Sequence, residues 1–141
     1  MHLIVGVGVI ASNLVAGVWG AAAWYRHRPS VGFWYALRVA QIGVVLQVML
    51  GAALLLLGHA APDALHYLYG VLPLAVSLLA EAARAGAGER ELEGLDFDSL
   101  PATRQRAIAM AIFRRETGIM TVSALVILFL ALRAAATSSA F

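Results

Sequence analysis

Four long apolar runs separated by polar connections dominate the chain. They cover roughly residues 3–25, 33–58, 65–85 and 117–136, each near the ~20 residues a helix needs to cross a ~30 Å hydrocarbon core. None of them alternates with period two, and in lipid only a helix or a closed barrel satisfies its own backbone polar groups. The pattern predicts an all-α integral membrane protein, a single four-helix bundle spanning residues 1–141. The first run lacks a basic leader and is long for a secretion-signal core, so it reads as a membrane helix.

Helical spacing sorts each of the first three runs into faces. On the first, His2, Gly6, Val9, Asn13, Gly17 and Gly20 align; on the second, Ala36, Ala40, Gly43, Gln47 and Gly51; on the third, His66, Gly70, Pro73, Ser77 and Glu81. Small residues let helix backbones approach closely in lipid, and polar ones bond across the interface. Bundle packing explains these stripes, with Asn13, Gln41 and Gln47 as interhelical hydrogen-bonding groups. The other reading is that the glycines clear room for a flat ligand. Arg38 reads as snorkelling to headgroups, with pairing to Glu81 as the alternative, and Glu81 as a local ion pair with Arg84.

The connections set the orientation. Arg26, His27 and Arg28 lie in the first, and the second, Gly58 to Asp63 with Pro62, carries no arginine. The long third connection holds Arg90, Arg104, Arg106, Arg114 and Arg115. Counting arginines places the first and third connections in the cytoplasm and both termini outside. Arg133, at the outer end of the fourth run, goes against that count. Within the third connection, residues 89–98 are acidic and read as flexible or surface-lying. Ser99 then reads as a capping serine and Pro101 as a first-turn proline, opening an interfacial helix over about 102–116 that leads into the fourth span.

Composition agrees with this picture. Hydrophobic residues make up 62% and charged residues 13%, against about 45–50% and about 25% in soluble domains. The absence of cysteine excludes disulfides, thiolate ligands and iron–sulfur clusters. A net charge of +2 does not call for nucleic acid, because the arginines sit beside membrane helices. The expected setting is a bacterial inner membrane, with the bilayer as partner and a homodimer or larger membrane complex left open. No nucleophile–base pair, phosphate loop or conventional metal motif appears, so the chain reads as more a binder than an enzyme.

The histidines carry what specific chemistry there is. His27 reads as a headgroup contact and His59 as an exposed loop residue. His2 opens the first run and His66 the third, and in an antiparallel bundle those two helices run the same way. Each alone is explained as a helix-end or interfacial residue. Together they form an axial pair for a metal or heme, since two neutral imidazoles fill both axial positions of a heme iron.

The segment from His2 to His66 resembles one four-helix half of the heme A synthase family. A histidine starts a helix, a basic linker follows (Arg26, His27, Arg28), and a Gln-x-x-x-Gly element comes next (Gln47 to Gly51). A short outer loop then leads to the second histidine, His66. The resemblance implies a bis-histidine heme b between the first and third helices, ligated by His2 and His66. Gly6, Gly51 and Gly70 would make room for the ring beside Gln47, and Tyr67 or Arg133 would meet a propionate. The chain has one half rather than two, its fourth helix follows the second ligand, and the family's outer cysteine pair is missing. Heme binding or electron transfer is therefore expected rather than porphyrin hydroxylation. Two other functions stay open: a cofactor-free membrane subunit or assembly factor docking through 89–98 and 102–116, and a transporter, which has few intramembrane ionisable groups to support it.

Overall fold

A computed structural model describes residues 1–61 and 63–137; Pro62 of the second connection lies outside the described residues. The described residues hold four α-helices: α1 (His2–Tyr25), α2 (Val31–Leu56), α3 (Ala64–Leu92) and α4 (Ala102–Ala136). All four are long and apolar enough to cross a membrane. Their outward faces are strongly apolar: Ile4, Val31, Leu79 and Phe129 are each about two-thirds exposed or more. In water that surface would be untenable, and in lipid it is the solvated face.

The helix ends follow from local chemistry. Ser30 caps α2 by accepting from the Phe33 N–H, and Asp63 caps α3 by accepting from the Leu65 N–H. At the end of α2, Gly58 adopts φ +84°; its N–H bonds the Leu55 carbonyl and that of His59 bonds the Leu54 carbonyl. This is the paired closure in which a left-handed residue turns the chain away from the helix. α1 ends the same way on His27, φ +52°, with bonds to the Trp24 and Ala23 carbonyls. The His27 ring folds back onto Trp24 O at 2.9 Å, so its side chain belongs to the cap.

At 29 and 35 residues, α3 and α4 are longer than a bilayer requires. Residues 102–116 are continuous with the fourth span, and the first part of the acidic segment continues α3 to Leu92. The two overhangs form a hairpin turned by a 3₁₀ turn at Phe97–Ser99. Gln105 Nε2 donates to the Phe97 and Leu100 carbonyls, and Arg115 pairs with Glu91 at 3.0 Å. Ser99 does not cap α4. Its hydroxyl donates to the Asp96 carbonyl inside the turn, and Pro101 holds the cap position.

Consecutive helices are neighbours around a square, with α1 and α3 on one diagonal. The α3–α4, α1–α2 and α1–α4 edges are closely packed, while α2 and α3 touch least along their shared edge. Close packing concentrates toward the end holding Arg26, Arg38 and Arg84, here the arginine end. Gly20 of α1 presses there against Thr121 of α4 and Phe33 of α2; a Cβ on it would lie 2.3 Å from Thr121 Oγ1 and 2.6 Å from Phe33 Cε2. Ala16, Phe33, Leu37, Ala40, Met120 and Ala124 continue this core. The stripe read on α1 is the buried one, whereas on α2 the large Phe33, Leu37 and Val44 turn inward beside Ala40. Asn13 bonds the Val9 carbonyl of its own helix at 2.9 Å rather than a neighbouring helix.

Gly20→Ala is expected to lower stability by about 1–3 kcal/mol through overpacking. Gly8→Ala, whose Cβ meets nothing within 4 Å, should be neutral; thermal unfolding in detergent compares the two. The Thr117 hydroxyl is fully buried with no hydrogen-bond partner. Thr117→Val should therefore raise the melting temperature, by roughly 1 kcal/mol of relieved desolvation.

Candidate functional site

At the opposite end of the bundle the helices line a half-open cavity of about 550 Å³. Every helix contributes to its wall: His2, Gly6 and Val9 from α1, Val44, Gln47 and Gly51 from α2, His66, Gly70 and Pro73 from α3, and Ala131 and Ala134 from α4. The wall is mainly apolar, and its polar groups gather near the mouth. Pro73 brings no N–H to α3, which leaves the Tyr69 carbonyl without its usual helical donor beside this space.

His2 and His66 meet across the bundle diagonal, ring centres 6.0 Å apart and planes inclined by 58°. Both are half-buried. His66 Nδ1 lies 3.0 Å from the Ala134 carbonyl. A carbonyl can only accept, so the proton sits on Nδ1 and Nε2 carries the lone pair. Residue 134 lies in the last turn of α4, where its carbonyl also accepts from the Thr137 hydroxyl at 3.0 Å, so the end of α4 orients the His66 ring.

His2 is held from the other side. Its Nε2 lies 3.1 Å from Gln47 Nε2, an arrangement in which the amide donates to the ring nitrogen. The His2 proton is then on Nδ1, and that atom and Gln47 Oε1 are both buried without a partner. A half-turn of the amide exchanges the roles: Oε1 would accept from a protonated Nε2, and Nδ1 would carry the lone pair. Gly51 sits against this pair, a Cβ there lying 3.5 Å from His2 Cε1, and Gly6 faces the Gln47 amide at 3.3 Å. Gly70 has nothing within 4 Å and opens onto the cavity itself.

The remaining expected residues lie around the rim. The Tyr67 hydroxyl accepts from the Ala61 N–H at 2.7 Å and ties the α2–α3 connection over the mouth. Arg133 is exposed, its guanidinium 5.7 Å from the centre of the Tyr69 ring, which lines the cavity. Three contributors were not visible from sequence: His59, exposed but part of the lining, the Ala134 carbonyl, and the alanines of α4. A backbone carbonyl leaves no residue-type signal. The α4 alanines do recur at 131, 134 and 135, spacing that would have found that wall.

No protein-family model matches the chain, and no curated protein or solved structure is significantly similar to it.

Gln47→Leu strips His2 Nε2 of its partner in a half-buried setting and should cost about 1–2 kcal/mol. Gly70→Ala, entering open space, should leave stability unchanged. Paired thermal melts of the two variants check both expectations.

Proposed function

We propose that this chain is a small membrane b-type cytochrome or heme-binding accessory protein, with one heme b held by His2 and His66. The observation that carries this reading is the convergence of two imidazoles, 6.0 Å apart, from diagonal helices onto a deep apolar cavity. Two imidazoles sharing one metal ion at about 2 Å per bond have ring centres roughly 6 Å apart. The cavity volume lies within the range of about 300–1,000 Å³ typical of cofactor and ligand sites.

The donor set fits the group. His66 already has the outer-partner arrangement of a metal-binding histidine, its Nδ1–H on a backbone carbonyl and its Nε2 free to ligate. His2 and Gln47 between them leave two buried polar atoms unpartnered, an expense an apolar packing role does not explain. Of the Gln-x-x-x-Gly element, Gln47 bonds the His2 ring and Gly51 leaves the space beside it open, a Cβ there lying 3.5 Å from His2 Cε1. A bis-histidine heme supplies one-electron transfer, with no open iron site for oxygen chemistry.

The chain's own residues would do the rest. The apolar wall excludes water, Gln47 holds the His2 ring, the end of α4 holds that of His66, and Gly70 leaves room for the macrocycle. Arg133 and Tyr67 stand at the rim where propionates would emerge. Counting arginines turns this end to the outer face of a bacterial inner membrane, with the α3–α4 hairpin in the cytoplasm.

Protein purified in detergent should show a Soret band that sharpens on reduction, either as isolated or after hemin addition. His66→Ala should abolish the low-spin spectrum, and Gly70→Phe, which fills the cavity, should lower heme content while the bundle stays folded by circular dichroism. A wild-type preparation that remains colourless with hemin overturns the reading.

A further inference from the structure

The arginine end carries a second polar constellation, independent of the cavity. Glu81 of α3 gathers three donors: Arg38 and Gln41 of α2, and Arg84 one turn along its own helix. Arg38 is therefore anchored to Glu81 rather than simply extended to headgroups. Arg84 also lies over the Trp34 ring, 5.5 Å from its centre, and its Nη1 approaches Glu116 of α4 at 3.7 Å. Beside this cluster an open groove runs between α2 and α4, which hardly touch each other; its floor is Trp34, Ala109, Ile112 and Phe113.

Two features determine what this groove can hold. The first is its level. Trp34 is on its floor, and Trp24, Tyr25 and Tyr35 lie at the same facing ends of α1 and α2, the kind of aromatic belt that marks a membrane–water interface. A ligand there meets acyl chains on one side and water on the other. The second is charge. Arg38 and Arg84 are balanced by Glu81 and Glu116, so the rim is neutral overall but separated into a donor side and an acceptor side.

The separated groups have capacity left over. Arg38, with 48% of its side chain exposed, uses only Nη1 in its hydrogen bonds, leaving Nε and Nη2 for a phosphate. Glu116 stands 3.7 Å from Arg84, beyond hydrogen-bonding distance, so its carboxylate can still accept. An anionic headgroup would satisfy the arginine and crowd Glu116, whereas a zwitterion satisfies both.

We propose that this groove is a binding site for phosphatidylethanolamine, its phosphate on Arg38, its primary ammonium on Glu116, and an acyl chain along Trp34, Ile112 and Phe113. Choline headgroups carry the same charges, but their quaternary nitrogen has no N–H to donate to Glu116.

Native mass spectrometry of the delipidated protein, offered equal amounts of phosphatidylethanolamine, phosphatidylcholine and phosphatidylglycerol, tests the site. Ethanolamine lipid should be retained roughly tenfold over either competitor, the equivalent of one charge-assisted hydrogen bond. Glu116→Gln should reduce that preference to the choline level, and Arg38→Gln should weaken retention of all three lipids. Equal retention of the three, a preference for phosphatidylglycerol, or an ethanolamine preference that survives Glu116→Gln would each overturn the proposal. Glu116→Gln removes only the 3.7 Å ion pair with Arg84, and circular dichroism with thermal melting of the variant verifies that the bundle is folded in the comparison.

Discussion

The contact of Gly20 with Thr121 and Phe33 is the constraint on which the bundle depends. Three helices meet at a residue without a side chain, closer than any Cβ would allow. In lipid there is no hydrophobic gain from hiding one apolar surface against another, so association rests on close approach and dispersion. The same solution recurs nearby, where Gly32 receives the Trp19 ring and Gly118 that of Trp24. Glycines on one helix receiving aromatic rings from another clamp the arginine end shut. The glycines toward the other end serve differently: Gly6 and Gly51 accommodate Gln47 and His2, and Gly70 faces open space. The bundle is closed at one end and hollow at the other because similar small residues meet large partners in the first case and few in the second.

That asymmetry also separates the polar chemistry. Among the described residues, the ion pairs of the spans gather at the arginine end, where Arg38, Glu81, Arg84 and Glu116 tie α2, α3 and α4 together. The lining of the hollow end carries no ion pair among the described residues, its polar groups being two imidazoles, an amide, a phenol and a helix-end carbonyl, with Arg133 exposed at the rim. A low-dielectric space tolerates neutral donors and acceptors far better than charges. Each imidazole is fixed by a helix other than its own, His2 by α2 and His66 by α4. Both rings therefore report on how the bundle closes.

The four spans, the small-residue face of α1 and the approach of His2 to His66 were legible in the sequence. Helical periodicity and antiparallel order determine them without reference to side-chain detail. The face of α2 was harder to phase. Small residues mark close backbone approach, yet at the closed end the core is filled by Phe33 and Leu37 beside Ala36 and Ala40 of the expected stripe, while its Gln47 and Gly51 line the cavity at the other end. The Arg38–Glu81 bond joins residues on different helices, whereas the i, i+3 neighbour Arg84 was visible locally. Thr117, Thr121, Ala124 and Leu128 form an inward stripe on α4 at the same spacing used for the other helices. It lies in a run uniform enough in hydrophobicity for the face to pass unnoticed.

The length of α4 joins these observations. The helix starts in the hairpin, passes Glu116 and the Gly20 contact, lines the cavity with Ala131, Ala134 and Ala135, and ends at Ala136. In that last turn the Ala134 carbonyl accepts from the Thr137 hydroxyl at 3.0 Å and also faces His66 Nδ1. The same rod that seals the arginine end against α1 also fixes the ring at the hollow end. A displacement of α4 along its axis would disturb both, because Thr121 against Gly20 and Ala134 against His66 share one rigid element.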